Sequence, residues 1–251
     1  MTWVMSDIHG CLSEFKELVG ELNLTEDDTL YILGDLINHG PDSWGCVEYA
    51  RSLPNTVILR GNHEQMILEE RWLWEQNGGK KAIQEFDRLP PEKQSEIKDW
   101  VESLPKWKVI KVMGKNYILV HAGLDVSKRQ KGERLSSLME CPIRQTGQYG
   151  EDHKLWIREE FLLAPALKNY KVIFGHTPTK TIPTWRKSEI WFGAPKFISK
   201  ETALYRGDKI GVDCGCVHGG SLAAYCIETT EEVYVDSKSS SRVKKGDVVN
   251  E

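Results

Sequence analysis

Five short apolar runs of this chain each end in an aspartate, histidine or asparagine with a glycine nearby. Such runs are typical of buried β-strands, and the residues at their ends are Asp7 and His9, Asp35, Asn62 and His63, His121, and His176. In α/β proteins, sites form at the carboxyl ends of the strands. One Asp-x-His tripeptide is weak support for a site, but five such strand ends in series predict that these side chains meet.

The segments between the first three runs have helical periodicity. Apolar residues recur at helical spacing over residues 12–22, Asp42 or Ser43 can cap a helix that ends near Arg51, and a further helix is expected to about Gln76. Strands that alternate with helices through short connections predict an α/β domain built in layers.

The middle of the chain interrupts this alternation. Residues 78–105 contain two helical patterns, 80–86 and 92–103, and we interpret them as a small helical insertion beside the site. A hairpin of residues 107–113 and 116–120, an irregular loop over 125–150 and a helix over 155–163 are expected to follow. Closing strands are predicted at 172–174, 209–212, 222–227 and 232–235.

The domain organisation follows from composition. Residues 1–236 are expected to form one catalytic domain, and residues 237–251, rich in Ser, Lys and Asp, a disordered tail. The net charge of -4 argues against nucleic acid as a partner. No signal peptide or apolar run of about 18 residues is recognisable, which predicts a cytoplasmic monomer without a membrane partner. The 6 cysteines are interpreted as reduced core residues.

The strand ends offer nitrogen and oxygen ligands. Four histidines, two aspartates and one asparagine suit first-row divalent ions such as manganese, iron, zinc or nickel better than thiophilic ions. The sequence therefore predicts a metal site.

The full motif set resembles that of the calcineurin-like metallophosphoesterases over about residues 1–225. The motifs are Asp7-Ile8-His9-Gly10, Gly34-Asp35, Gly61-Asn62-His63-Glu64, His121-Ala122-Gly123 and Gly175-His176-Thr177. The resemblance implies a layered β-sandwich with flanking helices. Ser6-Asp7, Arg60-Gly61 and Gly40-Pro41-Asp42-Ser43 are similar to the serine/threonine protein phosphatase branch, in its small bacterial and phage forms. Symmetrical diadenosine tetraphosphate hydrolases form a close branch.

The resemblance implies two divalent ions, with Mn²⁺ expected and Fe, Zn or Ni as alternatives. Asp7 and His9 would hold the first ion and Asp35 would bridge both. Asn62, His121 and His176 would hold the second. A hydroxide held between the ions would attack phosphorus in line.

The resemblance also assigns roles around the substrate. His63 would be the general acid that protonates the leaving group, a step worth about 10²–10⁴ in rate. Arg60, and with it Arg158, would grip phosphate oxygens through the guanidinium fork. Asn62, as a neutral ligand, would limit negative charge next to the phosphate.

Two residues depart from the family pattern. Asn38 stands where the family has an aspartate that pairs with the catalytic histidine, so we expect a lower His63 pKa, a weaker general acid and a preference for good leaving groups. His39 stands where the family has a phosphate-binding arginine, and a histidine can serve only when protonated. His218 in the late turn is a candidate substrate contact or a structural residue. Trp185, Trp191 and Phe192 are candidates for a groove or for the core.

Three functions are compatible with these motifs. The first is a metal-dependent phosphomonoesterase, a serine/threonine or dual-specificity protein phosphatase acting on phosphorylated protein or a small phosphorylated substrate. The alternative is a diadenosine polyphosphate hydrolase with the same metal site, which the loss of the aspartate at Asn38 favours. The third is a non-catalytic metal-binding domain, which the complete ligand set disfavours.

Overall fold

The computed structural model describes residues 1–69, 71–126, 139, 152–164, 167–182, 196–197, 204–206 and 208–238. The predicted loop at 125–150 lies almost entirely outside these residues. Trp185, Trp191, Phe192 and the tail beyond residue 238 also lie outside them.

The strands lie in two sheets. In chain order they are β1 (Thr2–Met5), β2 (Thr29–Ile32), β3 (Thr56–Ile58), β4 (Trp107–Val112), β5 (Lys115–Val120), β6 (Tyr170–Phe174), β7 (Lys196–Phe197), β8 (Leu204–Arg206), β9 (Lys209–Gly211), β10 (Ser221–Cys226) and β11 (Glu232–Asp236). The first sheet has the order β11-β10-β1-β2-β3, and the second has β4-β5-β6-β9-β8-β7. Strands β1, β2 and β3 run parallel, as do β5, β6 and β9. Each sheet therefore presents a parallel trio of carboxyl ends.

Side-chain alternation along the strands explains why the sheets pack face to face. Val4 of β1 points to a core shared with Leu119 of β5 and Ile173 of β6. Its neighbours Trp3 and Met5 point to the opposite side, into the core under the helices. Because successive strand residues face opposite ways, one apolar run is buried on both faces.

Helices cover both outer faces. They are α1 (Leu12–Glu21), α2 (Ser43–Ser52), α3 (Asn62–Met66), α4 (Arg71–Trp74), α5 (Lys80–Phe86), α6 (Pro91–Ser103), α7 (His153–Trp156) and α8 (Glu159–Leu163). Residues from α1 to α6 share a core with the first sheet, and Trp156 of α7 packs against the same core. Ile157 and residues from α8 share a core with the second sheet. The predicted layered α/β sandwich with flanking helices is confirmed.

Two predicted helices are broken in the structure. The helix expected to reach Gln76 is interrupted after α3, and the π-helical turn Glu75–Gly79 that follows α4 contains non-helical residues at Asn77 and Gly78. The helix predicted over 155–163 is divided by an extended Ile157 between α7 and α8. The helical insertion is confirmed over α5 and α6, with α4 packed on the same core.

The tail was predicted to be disordered from Ser237, but its first two residues are held. Ser237 donates its N–H to the carbonyl of Gly220, and Lys238 donates its N–H to Glu14 Oε1 at 2.7 Å. These two backbone N–H groups bond to the turn before β10 and to a side chain of α1, and thus extend the folded chain past the predicted boundary. None of the helices in the described part of the chain is long and apolar enough to cross a membrane.

Candidate metal centre

The predicted strand ends converge where the two sheets meet. Asp7 and His9 follow β1, Asp35 follows β2, Asn62 and His63 begin α3 after β3, His121 follows β5, and His176 follows β6. All seven are buried, with exposed fractions of 9% or less. The structure therefore brings together every residue that the sequence placed at a strand end.

The backbone around this centre is strained. Positive φ angles occur at Asp7 (54°), His9 (47°), Asp35 (58°), Asn38 (75°), His39 (60°) and His176 (64°). This left-handed conformation costs a non-glycine residue about 1–3 kcal/mol, and it persists where surrounding contacts enforce it. Six of the eleven non-glycine residues with positive φ in the described part of the chain thus are predicted ligands or the two residues that depart from the family pattern.

One ligand group consists of Asp7, His9 and Asp35, whose ligand atoms lie within 4.8 Å of one another. His9 Nδ1 donates to the carbonyl of Ile37 at 2.9 Å, because a carbonyl only accepts. The neutral His9 ring therefore turns the lone pair of Nε2 towards Asp35 Oδ2, 3.5 Å away. This is the usual way in which a protein orients a histidine ligand.

The second ligand group consists of Asp35, His121 and His176. His121 Nδ1 donates to the carbonyl of Leu33 at 2.8 Å, so its Nε2 faces Asp35 Oδ2 at 3.4 Å with a lone pair. The Asn62 amide oxygen faces the same Nε2 at 2.8 Å. Among the residues that the structure describes, the buried His176 Nε2 has no hydrogen-bond partner. Facing acceptors and an unpaired buried nitrogen fit a bound cation, with Asp35 common to both groups.

The electrostatics of the centre fit cations as well. Burial raises the pKa of Asp7 and Asp35 well above the usual range, and the charge of Asp213 raises that of Asp7 further. Burial lowers the pKa of His9 and His121 to about 3, so both rings are neutral near pH 7. Divalent ions require deprotonated carboxylates and neutral imidazoles, and a bound cation would supply the positive charge that keeps these buried carboxyls deprotonated.

Glu64 is a supporting residue whose role was missed from the sequence. Its fully buried carboxylate accepts the N–H groups of Asp35 and Leu36, both at 2.8 Å, and of Gly61 at 2.9 Å. It thereby fixes the turn that presents Asp35. The signal was available, since a glutamate at the third position of a helix often reaches back to the capping residue.

Asp213 is the second residue whose role was missed from the sequence. It follows β9, the parallel neighbour of β6, and its Oδ1 accepts the N–H of Gly215 at 2.8 Å. Burial raises the pKa of this carboxyl to about 6. Its position at the carboxyl end of a strand could have indicated a functional residue. The sequence motif around it was interpreted only as a closing turn.

The candidate general acid contacts the atypical asparagine. His63 Nδ1 lies 2.6 Å from Asn38 Nδ2, and His63 Nε2 lies 3.9 Å from Asp35 Oδ2. Burial, followed by the neighbouring histidines, lowers the pKa of His63 well below 6.5. The direction agrees with the sequence expectation, although burial is the largest cause.

The two arginines differ in placement. Arg158 is exposed, donates from Nη1 to the carbonyl of His176 at 2.9 Å, and lowers the pKa of His176 through its charge. It therefore lies at the mouth of the centre. Arg60 is buried and donates to Gln65 Oε1 at 2.9 Å and to the carbonyl of Glu102. Its described partners belong to α3 and α6, and phosphate contact by Arg60 stays a prediction.

Two exposed histidines lie at the rim. The His39 ring is 5.1 Å from that of His9, 5.2 Å from that of His63 and 6.0 Å from that of His218, measured between centroids. The structure thus places His39 beside the candidate general acid and His218 beside His39. Their contact with substrate stays a prediction.

Two packed sheets that gather carboxylate, imidazole and amide ligands around a shared aspartate define the metallophosphoesterase class of hydrolases. This chain belongs to the calcineurin-like phosphoesterase family, whose model matches residues 1–204.

Relatives of this chain include symmetrical tetraphosphatases and a serine/threonine-protein phosphatase. The chain is 26% identical to a symmetrical bis(5'-nucleosyl)-tetraphosphatase of Nitrosospira multiformis, over 90% of this chain and 92% of the relative. It is 34% identical to serine/threonine-protein phosphatase 1 of Salmonella typhimurium, over 71% of this chain and 79% of that protein. A solved serine/threonine phosphatase of Saccharomyces cerevisiae shares the fold with a TM-score of 0.57 at 14% identity, over 95% of this chain and 79% of that one.

Proposed function

We propose that this protein hydrolyses the phosphoanhydride bonds of dinucleoside polyphosphates. The observation that carries the proposal is the contact between His63 and Asn38, in which an amide instead of a carboxylate supports the candidate general acid. The near full-length similarity to a symmetrical bis(5'-nucleosyl)-tetraphosphatase supports the same substrate.

The amide changes which leaving groups can depart. A carboxylate next to the His63 imidazole would stabilise the protonated ring through its negative charge. The Asn38 amide carries no such charge. Burial further disfavours a charged His63 ring. An alkoxide from phosphoserine is a strong base that needs a proton as it leaves, whereas a nucleoside diphosphate leaves as a stable anion. The supported substrate is therefore an anhydride.

The residues of this chain have separate tasks in the proposed reaction. Asp7, His9, Asp35, Asn62, His121 and His176 would hold two divalent cations, with manganese as the proposed ion. Bound cations would polarise the phosphoryl oxygens and lower the pKa of a water molecule. Arg158, at the mouth, would bind the negative polyphosphate chain, and His63 Nε2 would hydrogen-bond an oxygen of the reacting phosphate.

A serine/threonine protein phosphatase is the second candidate. The 34% identity to serine/threonine-protein phosphatase 1 favours it, because this identity exceeds that to the tetraphosphatase, although over less of the chain. The two candidates share the metal centre and differ in the leaving group.

The deciding experiment compares two substrates on the purified full chain with Mn²⁺. We expect diadenosine tetraphosphate to be converted to ADP with a kcat/KM about 10² or more above that for phosphate release from a phosphoserine peptide. Asp35→Asn should abolish both reactions, which would assign them to this centre. A higher kcat/KM for the phosphopeptide would overturn the proposal.

A further inference from the structure

Trp74, at the end of α4, donates its indole N–H to Asn38 Oδ1 at 2.8 Å. Both side chains are buried, with exposed fractions of 4% for Trp74 and 1% for Asn38. The indole therefore contacts Asn38 on the side of its amide that faces away from His63, the candidate general acid.

This hydrogen bond determines which way the amide faces. An indole N–H only donates, so the Asn38 atom that meets it must be the oxygen. The amide nitrogen then faces His63 Nδ1, 2.6 Å away, and donates to it. Because Nδ1 accepts, a neutral His63 ring carries its proton on Nε2, the nitrogen nearer to Asp35.

A second contact fixes the same part of the chain against residues 38 and 39. The carbonyl of Gly78 accepts the N–H of His39 at 3.3 Å. Gly78 has a φ of 73°, and a Cβ there would collide with the His39 imidazole. The π-helical turn after Trp74 is therefore fitted closely against the turn that bears Asn38.

We propose that Trp74 is a positioning residue that, through Asn38, holds His63 as a neutral Nε2–H donor and thereby sets the preference for leaving groups that depart without a proton. This deepens the proposed function and rests on it. Proton transfer from Nε2 of the neutral ring would leave an imidazolate. A fully protonated ring would direct an Nδ1–H against the Asn38 amide N–H groups. His63 can therefore hydrogen-bond a departing oxygen but is a poor proton donor to an alkoxide.

The first test is structural and needs no substrate. ¹⁵N NMR of the histidine side chains in the full chain with diamagnetic Mg²⁺ distinguishes a bare ring nitrogen from a protonated one. Wild type should show His63 with a bare Nδ1 and a protonated Nε2. A protonated Nδ1 in wild type would overturn the proposal, whether or not any variant folds.

Trp74→Phe removes the N–H and keeps a ring that can pack against Phe86, whose centroid lies 5.8 Å from that of Trp74. The matched control is Trp44→Phe, because Trp44 packs in the same aromatic cluster but donates to the carbonyl of Ala82. Trp74→Phe should add a population with the proton on Nδ1, and Trp44→Phe should not. An unchanged His63 spectrum in Trp74→Phe, or the same change in both variants, would overturn the proposal.

The kinetic readout is the ratio of kcat/KM for p-nitrophenyl phosphate, which has a good leaving group, to that for a phosphoserine peptide. Trp74→Phe should lower this ratio by about tenfold, within the range that proton transfer contributes to rate. Trp44→Phe should leave it unchanged.

A wild type that shows the expected spectrum but prefers the phosphopeptide to diadenosine tetraphosphate would contradict the proposed function alone. An unchanged ratio in Trp74→Phe would contradict the role of Trp74.

Discussion

An amide at Asn38, where the family resemblance leads us to expect a carboxylate, is the single-residue difference on which the proposed choice of substrate rests. The backbone there is as strained as at the ligands, and Ser43 Oγ accepts its N–H at 2.9 Å. The chain therefore retains the geometry of this position while changing its charge. This combination suits a site that still needs His63 in place but not as a strong acid.

Asp7→Asn should weaken the first metal position without unfolding the protein. Asp7 Oδ1 and Oδ2 both accept the N–H of His176, at 3.1 and 2.9 Å, and an asparagine keeps one oxygen for that bond. It loses the charge that attracts the cation. Elemental analysis after Mn²⁺ loading and desalting should fall from about two ions per chain to about one. Unchanged metal content and unchanged rate together would disprove this ligand assignment.

Glu64→Ala should destabilise the fold and misplace Asp35. Three buried N–H groups would lose their acceptor, and each unsatisfied group costs about 1–3 kcal/mol. Urea denaturation should show a loss of about 3 kcal/mol or more. The control Glu69→Ala changes a glutamate near the same helix that accepts from the Gln65 side chain, and it should cost much less. Equal losses would refute the role of Glu64.

At the scale of single residues, the sequence predicted the metal ligands but not the residues that hold the functional side chains in place. Asp7, His9, Asp35, His121 and His176 were predictable because each ends an apolar run beside a glycine. The amide orientation of Asn38 was not, since it depends on Trp74, 36 residues away in the chain. Arg60 was predicted to bind phosphate from its place in a motif, but its partners in α6 come from tertiary packing.

The helical insertion is the element that connects the outer surface of the protein to the candidate metal centre. Because their helical periodicity is regular, the sequence predicted the bounds of α5 as observed and the bounds of α6 to within one residue. It also placed a break between a helix that ends near Gln76 and one that begins at Lys80, but it did not predict the left-handed conformation of Gly78 in that break. That break carries the chain from Trp74 to the contact with His39.

Gly78→Ala should therefore impair catalysis more than stability explains. Alanine at a φ of 73° costs about 1 kcal/mol of backbone strain, and its Cβ would also collide with the His39 ring. Gly114→Ala is the control, because Gly114 has a φ of 76° with open space around it. In thermal unfolding Gly114→Ala should show the loss from backbone strain alone, and Gly78→Ala should show that loss plus the cost of moving the His39 ring. Only Gly78→Ala should lose kcat. Equal kcat losses would contradict a link between this turn and the site.

At the scale of the whole molecule, two sheets pack face to face across a shared apolar core. The candidate metal centre lies at the edge where the two sheets meet. The sequence predicted the layered class through the alternation of strands and helices. It did not predict how β4 to β9 arrange as a second sheet, because strand order depends on long-range pairing. The same topology places Asp213 beside Asp7, although 206 residues separate them in the chain.

Metal removal should destabilise the molecule in a pH-dependent way. A cation at 100 times its Kd adds about 2.7 kcal/mol per site to the free energy of unfolding. Burial raises the pKa of the ligands Asp7 and Asp35 well above the usual range, so protons compete with cations at a higher pH than for ordinary carboxylates. The difference in Tm between Mn²⁺-loaded and chelated protein should be large at pH 8 and should shrink as the pH falls and these carboxylates are protonated. A difference that grows on acidification would contradict Asp7 and Asp35 as ligands.

The most direct test of the central claim is how the rate depends on the leaving group. A series of substituted phenyl phosphates gives log kcat/KM as a function of leaving-group pKa for wild type and for Asn38→Asp. The carboxylate in Asn38→Asp would accept from both Trp74 and His63 Nδ1–H and would stabilise the protonated ring. We expect a steep fall in rate with rising leaving-group pKa in wild type and a clearly shallower fall in Asn38→Asp. Equal slopes in the two proteins would contradict the claim that the amide at Asn38 sets the substrate preference.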